Sequence, residues 1–201
     1  MEHVLYINLE SRTDRRVHIE QQLNDLGVSY TRMNAIYNEK GYIGVSQSHI
    51  QCLQTAIQQN WSRVCIVEDD MCVIDIPVFQ NSLTTFLSTH STWDVLLLGG
   101  NVGPPYLREP GARRVKNAQT TTAYIVNQPY YKTLLRNFQE GLALLKIYDE
   151  SLYCIDIHWK RLQQTDQWYE LDPLSVVQKP GYSDIEKRNV NYVKPMLSYK
   201  E

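Results

Sequence analysis

Short apolar runs and stretches with helical spacing alternate along the chain. Residues 4–9, VLYINL, read as a buried strand, and SRTDRRVHIEQQLNDLG after it puts Ile19, Leu23 and Leu26 on one helical face. Ser11 or Thr13 is placed to cap that helix and Gly27 to stop it. VSYTRMNAI (28–36) reads as a second strand; then Ser46 or Ser48 opens a helix carrying Ile50, Leu53 and Ile57, and RVCIVEDD (63–70) follows as a central strand. Asp75 before Pro77 starts the next helix, whose inward stripe is Phe79, Leu83, Phe86 and Leu87. The apolar WDVLLLGG (93–100) is a further strand, and the aperiodic, Pro- and Gly-punctuated segment 101–118 is expected to run as a long loop over one face. TTTAYIVN (120–127), a helix from Pro129 bearing Leu135, Phe138, Leu142 and Leu145, a short helix in CIDIHWKRL and a last strand in WYELDPLSVVQ complete the pattern. A polar tail, about 179–201, is expected to wrap the surface.

Strands that alternate with amphipathic helices predict an α/β fold, a mostly parallel sheet covered on both faces. In 201 residues there is room for one sizeable core, so a single domain is expected over 1–201. With 43% hydrophobic and 21% charged residues the composition is that of an ordinary globular chain, and no stretch reaches the ~20 apolar residues of a membrane span. The N-terminus enters a strand without the features of a secretory signal, which points to a cytoplasmic location. Net charge is -2 with Lys and Arg scattered, so no nucleic-acid footprint stands out. Cys52, Cys65, Cys72 and Cys154 form no CxxC pair and suit reduced thiols.

The chemistry concentrates in IVEDD, where an apolar strand runs into Glu68, Asp69 and Asp70. Three like charges at a poorly solvated strand end need a cation or a basic group among them. Carboxylates are hard ligands that suit Mn²⁺ or Mg²⁺, with substrate phosphate and water completing the shell. Strand alternation would aim Glu68 and Asp70 one way and Asp69 the other. The alternative is that the three acids cap the next segment or pair with arginines. In a parallel sheet ligands bind beyond the carboxyl ends of the strands, where the NLESR exit of the first strand, the acidic triplet and Gly99-Gly100-Asn101 would meet.

Taken in order and with their gaps, YINLESRTDRR, GYIGVSQSHIQCLQ, CIVEDDMCV, DVLLLGG, TTAYIVN and GYSDIE resemble glycosyltransferase family 25, which includes the lipooligosaccharide and procollagen galactosyltransferases. The likeness runs from the first strand to about Glu186. It implies a GT-A-like, Rossmann-like fold and transfer with inversion from UDP-galactose or UDP-glucose, with Mn²⁺ or Mg²⁺, to a glycan or glycoprotein acceptor. It implies Asp70 and Glu68 at the metal, with Asn8, Arg12, Arg15, Ala35, Ser48, His49, Glu68 and Asp69 around the nucleotide. One departure is Tyr42 in Gly41-Tyr42-Ile43-Gly44, where the family commonly carries glutamate; if that glutamate contacts substrate in the family, the resemblance leaves donor or acceptor preference open at this point.

An inverting transfer also needs a base for the acceptor hydroxyl. The late family carboxylate corresponds to Asp156, with a helix N-cap as its alternative role, and Asp184 is the second acidic candidate. His158 either reaches the metal or packs beside Trp159, and Asp94 reads as structural. Tyr106, Tyr124, Trp159 and Trp168 offer flat faces for sugar C–H groups, with Thr122 beside Tyr124 as a further candidate. Two other classes fit the same residues: a catalytically silent nucleotide-sugar or carbohydrate-binding protein, and a metal-dependent phosphoryl or nucleotidyl transferase, which the lack of a GxxxxGK[ST] loop disfavours.

Overall fold

The computed structural model describes residues 1–198, so the last three positions of the polar tail lie outside it. Its centre is an eight-stranded sheet built from β1 (Val4–Asn8), β2 (Tyr30–Asn34), β3 (Arg63–Glu68), β5 (Val95–Val102), β6 (Tyr106–Glu109), β7 (Ala112–Val115), β8 (Ala118–Asn127) and β9 (Trp168–Leu171), in the order β2-β1-β3-β8-β5-β9-β7-β6. β1, β2 and β3 pair in parallel, as do β5 and β9, while β8 and β7 run against their neighbours. The sheet is therefore mixed and mostly parallel, with two strands reversed.

Both faces are covered. Along β1 the pleat sends Val4 and Tyr6 into one apolar layer with Ile19 and Leu23 of α1 (Thr13–Asp25) and Phe79 and Phe86 of α3 (Ile76–Thr89). Leu5 and Ile7 go into the opposite layer with Leu53 of α2 (Gly41–Gln58) and Leu134 and Phe138 of α4 (Tyr131–Tyr148). A strand buried on both faces reads as a continuous apolar run, which is how β1 and β3 appear in the sequence. Each fully buried Leu in these layers contributes roughly 1.5–3 kcal/mol over an exposed one. All four cysteines are free, and burial pushes the Cys52 and Cys65 thiols up to about 12.

Several elements differ from the sequence pattern. The first helix has Arg12 at its N-cap and no side-chain cap, so neither Ser11 nor Thr13 plays that part. The second helix starts at Gly41 instead of at Ser46 or Ser48; both serines lie inside it and donate to carbonyls one turn back, Ser46 Oγ to Tyr42 O at 2.9 Å and Ser48 Oγ to Gly44 O at 2.7 Å. Asp75 does cap α3, its Oδ1 accepting from Val78 N–H at 2.9 Å. The expected long loop 101–118 is instead the end of β5 followed by the β6–β7 hairpin, which extends the sheet to its edge. The WYELDPLSVVQ segment divides into β9 and β10 (Val176–Gln178), and β10 pairs with β4 (Met71–Val73) beyond the acidic triplet. That crossing explains Gly99: a Cβ there would stand 2.6 Å from Val176 O.

The tail folds back instead of skirting the surface. It forms a hairpin of β11 (Gly181–Ser183) and β12 (Arg188–Val190), then α6 (Val193–Leu197), whose Met196 packs with Leu174 and Val177 in a small third core. Ile185 at the hairpin tip lies against the start of α2, where a Cβ on Gly41 would meet it at 3.0 Å.

Candidate functional site

The chain leaves β1 for β2 on one side and enters β3 on the other, so a crevice opens beyond the carboxyl ends of β1 and β3. There lies a cavity of about 460 Å³, walled by the exits of β1, β2 and β3, the first turns of α2, the amino-terminal end of β8, the start of α5 (Ile155–His158) and the tail hairpin. The eleven residues expected at the metal, around the nucleotide or as the base all border it: Asn8, Arg12, Arg15, Ala35, Ser48, His49, Glu68, Asp69, Asp70, Asp156 and Asp184.

The three acids do not alternate, because β3 ends at Glu68 and the chain turns at Asp69-Asp70 before β4. Glu68 is held from behind. Its Oε1 accepts from Thr121 Oγ1 at 2.6 Å and from His49 Nε2 at 3.2 Å, and the other His49 nitrogen is hydrogen-bonded to the Tyr124 hydroxyl at 2.7 Å. Burial alone would raise the Glu68 carboxyl, but the bonds from His49 and Thr121 and the charge of Arg15 outweigh it and hold it below its ordinary value. One of the two Glu68 oxygens, Oε1, is thus engaged by neighbouring side chains. His49, almost fully buried, orients Glu68.

Asp69 accepts from Asn8 Nδ2 at 2.7 Å and from Arg15 Nη1 at 2.9 Å, which joins the end of β1 to the turn after β3. Burial raises its pKa against the pull of Arg15. The same Nη1 reaches Asp70 Oδ2 at 3.1 Å, leaving the buried Asp70 Oδ1 without a partner. One guanidinium therefore serves two carboxylates. Burial and the charge of Glu68 push Asp70 up to about 7. The acidic corner faces the cavity and is also partly neutralised by an arginine, so it combines features of both readings of IVEDD.

Asp156 lies across the cavity. It is not the helix N-cap, which is Cys154; its Oδ2 accepts from the backbone N–H of Thr120 on β8 at 3.1 Å. Burial raises its pKa, with the Glu68 charge adding to the effect. Asp184, on the tail hairpin, is clasped by Arg12, whose guanidinium also holds Asp14 through Nε at 3.0 Å and Nη2 at 2.8 Å. Arg15 Nη2 donates to Tyr182 O at 2.9 Å, so both arginines tie the hairpin down. Ala35 extends the β1–β2 pairing by donating to Asn8 O at 3.0 Å, and Ser48 Oγ accepts from Ile36 N–H at 2.8 Å, which shapes the strand exit.

The aromatic candidates are elsewhere. Tyr124, Trp159 and Trp168 are wholly buried in the apolar layer beneath α2 and α4, and Tyr106 packs against its rim. Thr122 is likewise buried. The rings that border the cavity are Tyr37, Tyr42 and Tyr192. His158 does not reach the site: its Nε2 meets Arg161 Nη1 at 3.1 Å. Asp94 is structural, accepting from Gln167 N–H at 2.8 Å. Among the described residues no three His, Cys, Asp or Glu side chains form a ready metal cage. Gln119, Thr120, Thr121 and the tail residues Ile185 to Lys187 also border the cavity and were not singled out from the sequence. The polar TTT that opens an otherwise apolar strand was the available signal for the threonines.

No protein-family model and no curated protein matches the sequence. Solved structures do. The glycosyltransferase involved in the glycosylation of the major capsid of PBCV-1 aligns over 92% of this chain and 95% of its own, at TM-score 0.51 and 11% identity. A197 from STIV aligns over 94% and 93%, at 0.51 and 12%. The fold is GT-A-like. Mannose-1-phosphate geranyltransferase from Thermus thermophilus also aligns, over 83% of this chain but 58% of its own, at 0.44 and 13%. Among the described residues no helix is long and apolar enough to cross a membrane.

Proposed function

We propose that this chain is a metal-dependent, inverting glycosyltransferase of the family 25 type. It moves galactose or glucose from a UDP-sugar to a hydroxyl of a glycan or glycosylated protein, in the cytoplasm or at the cytoplasmic face of a membrane. The observation that supports this most is the Asp70 carboxyl: half-buried, bordering the cavity, with a buried Oδ1 unpartnered and only a shared arginine at Oδ2. A lone hard oxygen of this kind fits a divalent cation whose remaining ligands come from a diphosphate and water. Asp70 would hold it, with Glu68 set back by His49 and Thr121. When bound, such a cation offsets the charge that gathers on the leaving diphosphate.

The chain's own residues do the rest. Asn8, Ala35 and Arg15 at the β1 and β3 exits hold the nucleotide end, Arg15 adding positive charge beside the phosphates. The acceptor oxygen attacks the anomeric carbon from the side facing Asp156 as the bond from that carbon to the diphosphate oxygen breaks. Asp156 takes the hydroxyl proton and UDP leaves with the bonding pair. A carboxyl whose pKa is raised is the stronger base for this step, provided it is ionised at working pH.

The test is UDP release by the full chain against a panel of UDP-sugars with and without Mn²⁺. Slow Mn²⁺-dependent hydrolysis is expected, lost in Asp70→Asn, while Asp156→Asn keeps UDP binding and loses transfer. Tight UDP binding with no turnover on any acceptor would select the silent binding protein instead. Neither binding nor turnover would end the proposal.

A further inference from the structure

Strand β8 does not run straight past β5. From Gly99 to Asn101, β5 advances two residues; opposite it β8 advances four, since Gly99 pairs with Ala123 and Asn101 with Gln119. The surplus is pushed out toward the cavity as a bulge containing Thr120 and Thr121. Both ends of the bulge are fixed. On one side Ala118 is gripped by Gln163, whose Oε1 accepts from Ala118 N–H at 2.8 Å while its Nε2 and Trp159 Nε1 each donate to Ala118 O at 2.9 Å. On the other side the regular ladder with β3 resumes at Ala123.

Within this frame Thr120 has φ of 87°. A β-branched residue seldom enters the left-handed region, and one that does is held there by its surroundings. Two contacts account for the hold: Asn101 Nδ2 donates to Thr120 Oγ1 at 3.1 Å, and Thr120 N–H donates to Asp156 Oδ2 at 3.1 Å. The unusual turn is what swings that amide out of the ladder and toward the carboxylate. Glycine would adopt the turn without cost, yet the position carries threonine, whose hydroxyl gives Asn101 something to grip.

We infer that Thr120, locked by Asn101, is a positioning residue that fixes one oxygen of Asp156 through a strained backbone turn and so aims the carboxylate at the acceptor hydroxyl. The inference deepens the proposed transfer and rests on it for the word acceptor; the positioning itself rests on geometry alone. The ionisable neighbours of Asp156 are Glu68 from β3, Lys160 from the segment after α5, and Cys154 beside it. None of them is substituted in the variants below, and Thr120→Ser, which keeps the turn and its flanking contacts to Glu68 and Lys160, separates loss of the amide from a shift of those neighbours.

The experiment follows the Asp156 carboxyl by ¹³C NMR across pH in the wild-type chain, Thr120→Gly and Thr120→Ser, alongside thermal unfolding. In Thr120→Gly the turn relaxes and the amide is held less firmly, so Asp156 should titrate higher by ~0.5–1 pH unit while the protein melts no lower than wild type. Thr120→Ser keeps Cβ and the hydroxyl for Asn101, and should titrate as wild type. If the wild type turns over sugar nucleotides, kcat of Thr120→Gly should fall about tenfold with donor KM unchanged, the signature of a lost positioning contact. Identical Asp156 titration in all three proteins overturns the inference, whatever their activity. A shifted titration in a chain that turns over no UDP-sugar leaves the positioning intact and removes the transferase reading.

Discussion

Two groups of acids and arginines sit inside this sheet, and they differ in what surrounds them. Between β7 and β9, Arg113 Nη2 lies 3.2 Å from Glu170 Oε2 and 3.8 Å from Asp172 Oδ1; Arg108 adds a second cation 3.6 Å from Asp172, and Arg113 also lies over the Tyr106 ring. Two acids meet two arginines, and neither Arg113 nor Glu170 borders the cavity. After β3, three acids share Arg15 and the neighbouring His49, and they open onto the cavity. Burial raises a carboxyl in each group, Asp70 to about 7 and Glu170 to about 8, so a shifted pKa alone does not tell them apart. A shortfall of positive charge beside open space does. The balanced group, whose Arg113 and Glu170 are sealed from solvent although Arg108 is exposed, holds two strands together, and the open, unbalanced one is suited to a charged ligand.

Substitutions should separate the two. Above pH 8, where Glu170 is ionised, Arg113→Ala leaves it buried beside too little positive charge and is expected to cost about 3–5 kcal/mol in denaturant unfolding. A cost under ~1 kcal/mol would mean the sealed group is dispensable. Asp70→Asn should instead lower transfer by about 100-fold or more, equivalent to ~3 kcal/mol of lost charge stabilisation. It should also stabilise the free protein. Asp70 keeps its proton in the folded chain up to about 7, whereas the unfolded chain releases it near ~4. Wild-type stability is therefore lost as pH rises through that window, and the asparagine variant escapes the loss. The expected gain is ~1–3 kcal/mol at pH 8, fading toward pH 4, read by urea unfolding at both values. Equal stability of the two proteins at pH 8 would show that Arg15 alone satisfies Asp70. The smallest effect is expected at Tyr42, whose hydroxyl donates to Asp149 at the exposed rim, where Lys40 also pairs with Asp149 at 2.7 Å. Tyr42→Phe should shift unfolding by under ~0.5 kcal/mol and show itself, if anywhere, in donor or acceptor preference.

The contrast also marks how far the sequence could be read. The apolar runs of β1, β3 and β5 and the stripes of α1 and α4 were legible because both faces of the sheet are covered; the α3 stripe was legible at Phe79, Leu83 and Phe86 but not at Leu87, which is exposed while Ser82 turns inward, and the acids at the exit of β3 were visible as charges where an apolar strand stops. The reversal of β8 was not legible, since a strand buried on both faces looks the same in either direction. The β6–β7 hairpin was hidden by its prolines and glycines, which read as loop. Tertiary partners also set details that local pattern cannot carry: His49 and Thr121 reach Glu68 from distant elements, the Thr120 turn depends on Gln163 and Asn101, and the polar tail gains its place through Arg12 and Arg15. Aromatic residues chosen for sugar contact turned out to fill the core, where large rings bury the most surface.

Everything proposed for the transfer depends on the corner at Asp70 holding the cation and diphosphate of a sugar nucleotide. Crystals grown with UDP and Mn²⁺, with anomalous data collected at the manganese edge, address it directly. A single manganese peak is expected within coordination distance of Asp70 Oδ1, with the uridine against Asn8 and Ala35. Nucleotide bound elsewhere, or a corner closed by Arg15 with no peak beside it, would contradict that assignment.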